Sequence, residues 1–190
     1  MTRNSVPNAA LVTIIFACLP VFPIHAQSTP AQRSKQLNAL FAEYWEDNLR
    51  HSPEGATYLG DKRYNDQWSD YSGAGFVDQL RRERIFLDRL KAIDTTGVAD
   101  QDRISAQLLM RSFVEDQESA PFKEWEMPVS QFGGFHTTVP QLVAATAFDT
   151  AKDYDDYIVR LNTVSKPFSQ IIADMRCRHR GQTRSTEVFA

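Results

Sequence analysis

Apolar side chains recur at spacings of three and four residues along most of the chain, which is the period of an amphipathic α-helix. Residues 34–51 show this pattern, with apolar positions at Leu37, Leu40, Phe41, Tyr44, Trp45 and Leu49. A second, short helix is predicted over residues 53–59, because Ser52 can cap it and Pro53 is favoured in a first turn. Gly60 is expected to end this helix.

Two longer helices are predicted in the middle of the chain. The first covers residues 74–93 and has Ser72 as its cap. Its apolar stripe is expected to face inward, while charged positions such as Glu83 face solvent. The second covers residues 100–118 and carries apolar side chains on more than one face. A helix of that kind is expected to pack between neighbours.

The last three predicted helices are shorter. One covers residues 138–145, the next begins after a cap at Asp149 or Thr150, and the third follows residue 164. The inward stripe of the middle one is predicted to consist of Tyr154, Tyr157, Ile158, Leu161 and Val164. Only residues 125–129 show a pattern that could form a strand. The chain is therefore predicted to be all-α, with helical hairpins around a glycine-rich loop.

The glycine-rich loop covers residues 127–142, MPVSQFGGFHTTVPQL, which no helical pattern explains as a whole. Gly133 and Gly134 permit backbone angles or close approaches that a side chain would prevent. His136 could hydrogen-bond a substrate or take up a proton near neutral pH, or it could only tie the loop to backbone carbonyls. The candidate substrate-binding residues are Gln131, Gly133, Gly134 and His136.

The first 26 residues have the features of a secretory signal peptide. Arg3 precedes an apolar run over residues 9–21, and Ala26 is a small residue at which cleavage can occur. We expect a periplasmic or secreted protein; a lipoprotein with lipid on Cys18 and a retained membrane anchor are the alternatives. After cleavage at Ala26, Cys177 is the one cysteine left, so no internal disulfide is expected.

The charge balance and the scattered histidines argue against several classes of function. With 21 Lys and Arg against 24 Asp and Glu, no nucleic-acid partner is expected, and no membrane contact is expected after signal cleavage. No pair of histidines one helical turn apart stands beside a glutamate, as a helical zinc site of hydrolases requires. A nucleophile elbow and a phosphate-binding glycine loop are also missing from the sequence. No catalytic residue, metal ligand or cofactor is therefore predicted in this chain.

Three stretches together carry a family resemblance: LFAEYWEDNLRHSPEGATYLGDKRYNDQWSDYS, MPVSQFGGFHTTVPQL and AKDYDDYIVRLNTV. In their order and spacing they resemble a bacterial family named domain of unknown function 885, over residues 37–175. The resemblance implies an exported or lipid-anchored, mainly helical protein. It also implies an architecture similar to zincin peptidases of the carboxypeptidase Taq and angiotensin-converting-enzyme type, and metal-dependent peptide hydrolysis.

The resemblance assigns no catalytic role to any residue of this chain. The family's histidine–glutamate motif lies beyond the matched region, in a protein several times longer. Zinc is therefore expected only in the full-length family protein, and the resemblance covers only its amino-terminal part. The main partner of this chain would be the missing carboxy-terminal portion, and a peptide would be the substrate.

These observations give a predicted organisation and two hypotheses for function. The predicted segments are a signal peptide (1–26), a linker (27–33), a helical region (34–176) and an atypical basic tail (177–190). The first hypothesis is the amino-terminal part of an exported, metal-dependent peptidase-like protein, inactive by itself. The alternative is a stand-alone periplasmic helical module that binds peptides.

Overall fold

The computed structural model describes residues 28–179, and in this range it contains helices and no strand. The all-α prediction is confirmed, whereas the predicted signal peptide and nearly all of the basic tail lie outside the described residues. The α-helices are α1 (Pro30–His51), α2 (Pro53–Tyr58), α3 (Gly73–Lys91), α4 (Asp100–Ser119), α5 (Phe135–Ala145), α6 (Ala151–Asn162) and α7 (Ser165–His179). Short 3-10 turns lie at Lys62–Tyr64, Ala120–Phe122 and Glu124–Glu126. The last of these occupies the place of the possible strand at residues 125–129, so that expectation was wrong.

The helix ends follow from local residue chemistry. Thr29 caps α1 through a capping box with Gln32, which starts the helix four residues earlier than the apolar pattern begins. The Ser72 hydroxyl accepts a hydrogen bond from the N–H of Gly75 and caps α3, as predicted. Gly60 has φ +82°, a backbone conformation that favours glycine, directly after α2 ends.

The main hydrophobic core lies between α1, α3 and α4. Tyr44 of α1 packs edge-to-face on Phe86 of α3 and on Phe113 of α4, with ring centroids 5.4 and 5.1 Å apart. The buried members of this core are Leu37, Leu40, Phe86, Leu87, Leu90, Val98, Ala106 and Phe113. Burial of this apolar surface is the main favourable contribution to folding of the amino-terminal half.

Helix α4 packs on one side only, contrary to the expectation that it lies between neighbours. Ala106 and Phe113 are buried, whereas Ile104 is half-exposed and Leu108 is 64% exposed. Helices α1 and α3 cover the face that carries Phe113, and no described element covers the face that carries Leu108. An apolar side chain shows which helix faces can be buried, but burial needs a partner on that side.

Helix α6 buries a different face from the one that its apolar stripe predicts. Tyr154 and Ile158 are 55% and 54% exposed, and Leu161 is also exposed. The inward face carries Asp153 and Arg160 instead. The predicted inward stripe was therefore wrong for Tyr154, Ile158 and Leu161, because polar partners on the neighbouring elements bind Asp153 and Arg160. Two other members of the predicted stripe, Tyr157 and Val164, are half-buried.

Asp153 is held by one of these polar interactions. Its carboxylate accepts hydrogen bonds from the Lys62 ammonium group at 2.9 Å and from the N–H of Thr150 at 2.8 Å. The Lys62 hydrogen bond, followed by those from Thr150 and Asp149, lowers the pKa of Asp153 to about 2. The interaction attaches the start of α6 to the 3-10 turn that follows α2.

Arg160 is the second polar anchor, and its side chain is fully buried. Its guanidinium donates to the carbonyl of Tyr64 at 2.6 Å, the carbonyl of Gln67 at 2.9 Å and the hydroxyl of Thr57 at 2.9 Å. In return, the indole N–H of Trp68 donates to the Arg160 carbonyl at 2.7 Å. Helix α6 is thereby fixed to α2 and to the segment over residues 64–68.

None of the described helices is long and apolar enough to cross a membrane.

We predict that Arg160→Met destabilises the fold by about 3 kcal/mol, because the Tyr64 and Gln67 carbonyls would lose their buried donor. Urea unfolding followed by circular dichroism measures this change. Arg111→Met is the matched control, since Arg111 forms only an exposed pair with Glu115 and its loss should cost less than about 0.5 kcal/mol. Equal effects of the two substitutions would contradict the anchoring role of Arg160.

Candidate functional site

A cavity of about 580 Å³ opens where the end of α1, the start of α3 and the segment over residues 68–72 meet. Trp125, Pro128 and, from α7, Ile171 complete its lining. Four aromatic side chains lie along it, namely Trp68, Tyr71, Phe76 and Trp125. The charged and titratable groups on its lining are Arg50, His51, Asp70, Asp78 and Arg82. The cavity therefore combines apolar surface with charges of both signs.

Glu54 holds the segment that forms one wall of the cavity. It is buried in α2, and its carboxylate accepts hydrogen bonds from the N–H of Ser69 at 3.2 Å and from the Tyr71 hydroxyl at 3.1 Å. Burial, followed by the nearby Glu54 charge, raises the pKa of Tyr71, which therefore stays protonated and acts as a donor. From the other side, Gln170 accepts from the N–H of Tyr71 at 3.1 Å and donates to Asp70 at 2.7 Å.

The aromatic part of the wall is built around Phe135, the first residue of α5. The Phe135 ring is buried and packs edge-to-face on Trp68 and Tyr71, with centroids 5.1 and 4.8 Å apart. On the opposite side, Phe76 and Trp125 stack with centroids 4.1 Å apart. The glycine-rich stretch therefore contributes to the site by placing Phe135 behind the cavity wall.

Two positions near the site require glycine, because a backbone oxygen lies close to each of them. A Cβ atom at Gly75 would lie 2.5 Å from the carbonyl oxygen of Asp70, and this backbone atom cannot rotate away. Gly134 has φ +155° and precedes α5, and its added Cβ would lie 3.0 Å from the Pro128 carbonyl oxygen. Gly133, by contrast, has no atom within 4 Å of an added Cβ.

A chain of ion pairs borders the cavity on the side of α1 and α3. Arg82 donates to Asp78 at 3.0 Å and to Asp47 of α1 at 2.8 Å. Hydrogen bonds from Arg81 first, and then from Arg82, lower the pKa of Asp78. The imidazole Nδ1 of His51 lies 2.8 Å from the carbonyl oxygen of Asp47. These contacts fix the charged side chains at the rim.

A smaller pocket of about 170 Å³ adjoins the cavity between α1 and α3. His51, Ser52, Gln79 and Arg82 line both spaces. Glu83 lies in the smaller pocket and is only 6% exposed, so the expectation that it faces solvent was wrong. Burial is the main cause that raises the pKa of Glu83, and the nearby Asp116 raises it further.

The position of Glu83 could have been recognised from spacing alone. Phe76, Leu80, Leu87 and Leu90 form the apolar stripe of α3, and position 83 continues the same spacing of three and four residues. Glu83 is therefore a carboxylate at a core position. The cavity residues Asp78 and Arg82 carry no comparable signal, since charged residues at such positions of a helix are commonly solvated.

The candidate residues of the glycine-rich stretch lie beside the cavity and do not line it. Gln131 and His136 are exposed, and Gly133 and Gly134 are partly exposed. Helix α5 begins at Phe135 and not at residue 138, so His136 lies in its first turn. A substrate-binding role for Gln131, Gly133, Gly134 and His136 stays a prediction.

Among residues 28–179, no group of three or more His, Cys, Asp and Glu side chains is placed to hold a metal ion. These residues therefore do not provide the ligands for the zinc that the family resemblance implies. We derive no reaction step through a metal. The cavity lining presents aromatic faces, fixed charges and hydrogen-bonding side chains, which are features of a binding site.

Residues 53–189 match the model of a family described as bacterial protein of unknown function (DUF885). The matched range contains α2 to α7 and most of the residues that line the cavity. No curated protein and no solved structure matches the chain.

We predict that Gly75→Ala destabilises the fold by about 1 to 3 kcal/mol, because the new methyl group would displace the Asp70 backbone. Gly133→Ala is the matched control and should change stability by less than about 0.5 kcal/mol. Thermal unfolding followed by tryptophan fluorescence compares the two variants. The close packing at Gly75 is refuted if both variants melt like the unmodified chain.

Proposed function

Since the chain belongs to the bacterial family DUF885, we propose that residues 28–179 form the peptide-binding, non-catalytic part of an exported, peptidase-like protein. The catalytic metal site of such a protein would lie outside these residues. The observation that carries the proposal is the cavity between α1, α3 and the segment over residues 68–72. Its volume of about 580 Å³ falls within the usual range of ligand pockets, about 300–1,000 Å³.

The chemistry of the cavity suits a peptide better than a polyanion. Its aromatic side chains can pack against apolar side chains of a ligand. Arg50 on the lining offers a positive charge to a carboxylate, and Asp70 offers a negative charge to an ammonium group, whereas Arg82 is already paired with Asp47 and Asp78. A polyanion would meet the two aspartates and a chain of net charge −3.

The exposed apolar surface on α6 and α7 supports the proposal of a larger protein. Tyr154, Ile158 and Leu161 of α6 are exposed, and so are Ile172 and Met175 of α7. Exposed apolar surface of this kind marks interaction sites. We assign it to contact with the portion of the peptidase-like protein that would carry the metal.

The alternative is a stand-alone periplasmic module that binds peptides. The core between α1, α3 and α4 and the buried Arg160 network favour this alternative, because they give the described residues internal support of their own. Both readings place the protein in the periplasm or outside the cell. In both hypotheses, export depends on the proposed signal peptide at residues 1–26. Lipidation of Cys18 is the alternative to a periplasmic or secreted protein without lipid.

We predict that the tetrapeptide Ala-Phe-Ala-Ala binds in the cavity and shifts the indole N–H resonances of Trp68 and Trp125 in nitrogen-15 NMR spectra. Trp125→Ala should weaken binding about tenfold, or ~1.4 kcal/mol, because Trp125 forms part of the aromatic wall. Trp45→Ala is the matched control, since Trp45 is exposed on α1 and does not line the cavity. Equal losses in the two variants, or no binding at all, would refute the proposal.

We predict that the surface on α6 and α7 makes the native chain bind the apolar dye ANS. Ile158→Ser combined with Leu161→Ser should reduce the dye fluorescence by about half without lowering the unfolding temperature, because both side chains are exposed. Lys152→Ser, on the exposed surface of the same helix, should leave the fluorescence unchanged. Weak dye binding together with cooperative unfolding would favour the stand-alone module.

A further inference from the structure

The smaller pocket beside the cavity is lined by Glu83, which is buried and has one carboxylate oxygen without a hydrogen-bond partner among the described residues. Oε1 of Glu83 accepts a hydrogen bond from the Gln79 side chain at 2.7 Å. Oε2 is buried and accepts no hydrogen bond from any described residue. A buried polar atom without a partner costs about 1 to 3 kcal/mol, so such atoms are rare unless a ligand or a water satisfies them.

The charges around Glu83 make a cation the best-suited ligand for this pocket. From α1, Tyr44, Asp47 and His51 face the same pocket, and Asp116 of α4 lies close enough to raise the pKa of Glu83. The one arginine on the lining, Arg82, is already paired with Asp47 and Asp78. The acidic groups near Glu83 therefore outnumber the cations that can neutralise them.

The size and position of the pocket select the kind of cation. About 170 Å³ is too little for an extended peptide but enough for one charged group and its first carbons. A metal ion would need a set of several ligands, and the described residues place no such set here. His51, Ser52, Gln79 and Arg82 line both spaces, so a chain in the larger cavity can reach into the smaller one.

We propose that the smaller pocket receives a primary ammonium group of the peptide bound in the larger cavity, with Oε2 of Glu83 accepting one of its N–H groups. This inference rests on the proposed peptide-binding function. Asp47 and Asn48 line the same pocket and offer further oxygen acceptors for a group that carries three donors. The site would orient the peptide by fixing the end or the side chain that carries the ammonium group.

The ammonium group can come from the amino terminus of the peptide or from a lysine side chain. Three synthetic probes distinguish these sources: Ala-Phe-Ala-Ala, its acetylated form, and acetyl-Lys-Phe-Ala-Ala. If the amino terminus binds, acetylation should weaken binding to the unmodified chain about tenfold, and the lysine peptide should not recover the loss. If a lysine side chain binds, the third probe should bind about tenfold more tightly than acetylated Ala-Phe-Ala-Ala. Either result supports the ammonium site.

Substitution of Glu83 tests the assignment of the acceptor. In Glu83→Gln, the free and acetylated peptides should bind equally, because the charge that distinguishes them is gone. Glu115→Gln on the exposed side of α4 is the control and should keep the tenfold difference. The comparison of the three peptides on the unmodified chain needs no variant, so it decides whether an ammonium group is bound even where Glu83→Gln fails to fold.

The outcomes separate this inference from the function on which it rests. Equal binding of all three peptides would overturn the ammonium site and keep the proposed peptide-binding function. An acetylation effect of the same size in Glu83→Gln would overturn the role of Glu83. Failure of all three peptides to bind would overturn both the inference and the proposed function.

Discussion

The buried guanidinium of Arg160 is the interaction on which the arrangement of the described residues depends. It joins α6 to α2 and to the segment that leads to Trp68 through carbonyl and hydroxyl acceptors, with no direct carboxylate partner among the described residues. Burial lowers the pKa of Arg160, whereas the charges of Glu54 and Asp66 raise it. An arginine buried in this way is tolerable only because every side of the guanidinium group is hydrogen-bonded or packed, here including the Trp68 ring.

The buried position of Arg160 also determines which face of α6 is exposed. With Arg160 and Asp153 turned inward, Tyr154, Ile158 and Leu161 of α6 face outward. Burying them would require the helix to rotate and its charged residues to lose their partners, and several unsatisfied polar groups cost more than one exposed apolar stripe. The outward surface of α6 is thus a consequence of the polar network, and it is the feature that best distinguishes a part of a larger protein from a separate module.

The candidate site is assembled from elements that lie far apart in the sequence. Glu54 of α2, Phe135 of α5 and Gln170 of α7 all hold the short segment that contains Tyr71. A ligand in the cavity would therefore contact surfaces whose positions are coupled through one aromatic cluster. This arrangement gives a shaped surface whose parts are held in place by buried hydrogen bonds and aromatic contacts.

The sequence by itself determined the helical class, most helix ends and the family, because apolar period, capping residues and short motifs are local properties. It predicted α2 and its end at Gly60, and the cap of α3 at Ser72. Only the tertiary structure decided which face of each helix is buried, since that depends on the partner across the interface. For this reason Glu83 proved to be buried and Tyr154 exposed, and the glycine-rich stretch contributes Pro128 to the cavity lining and places Phe135 behind it.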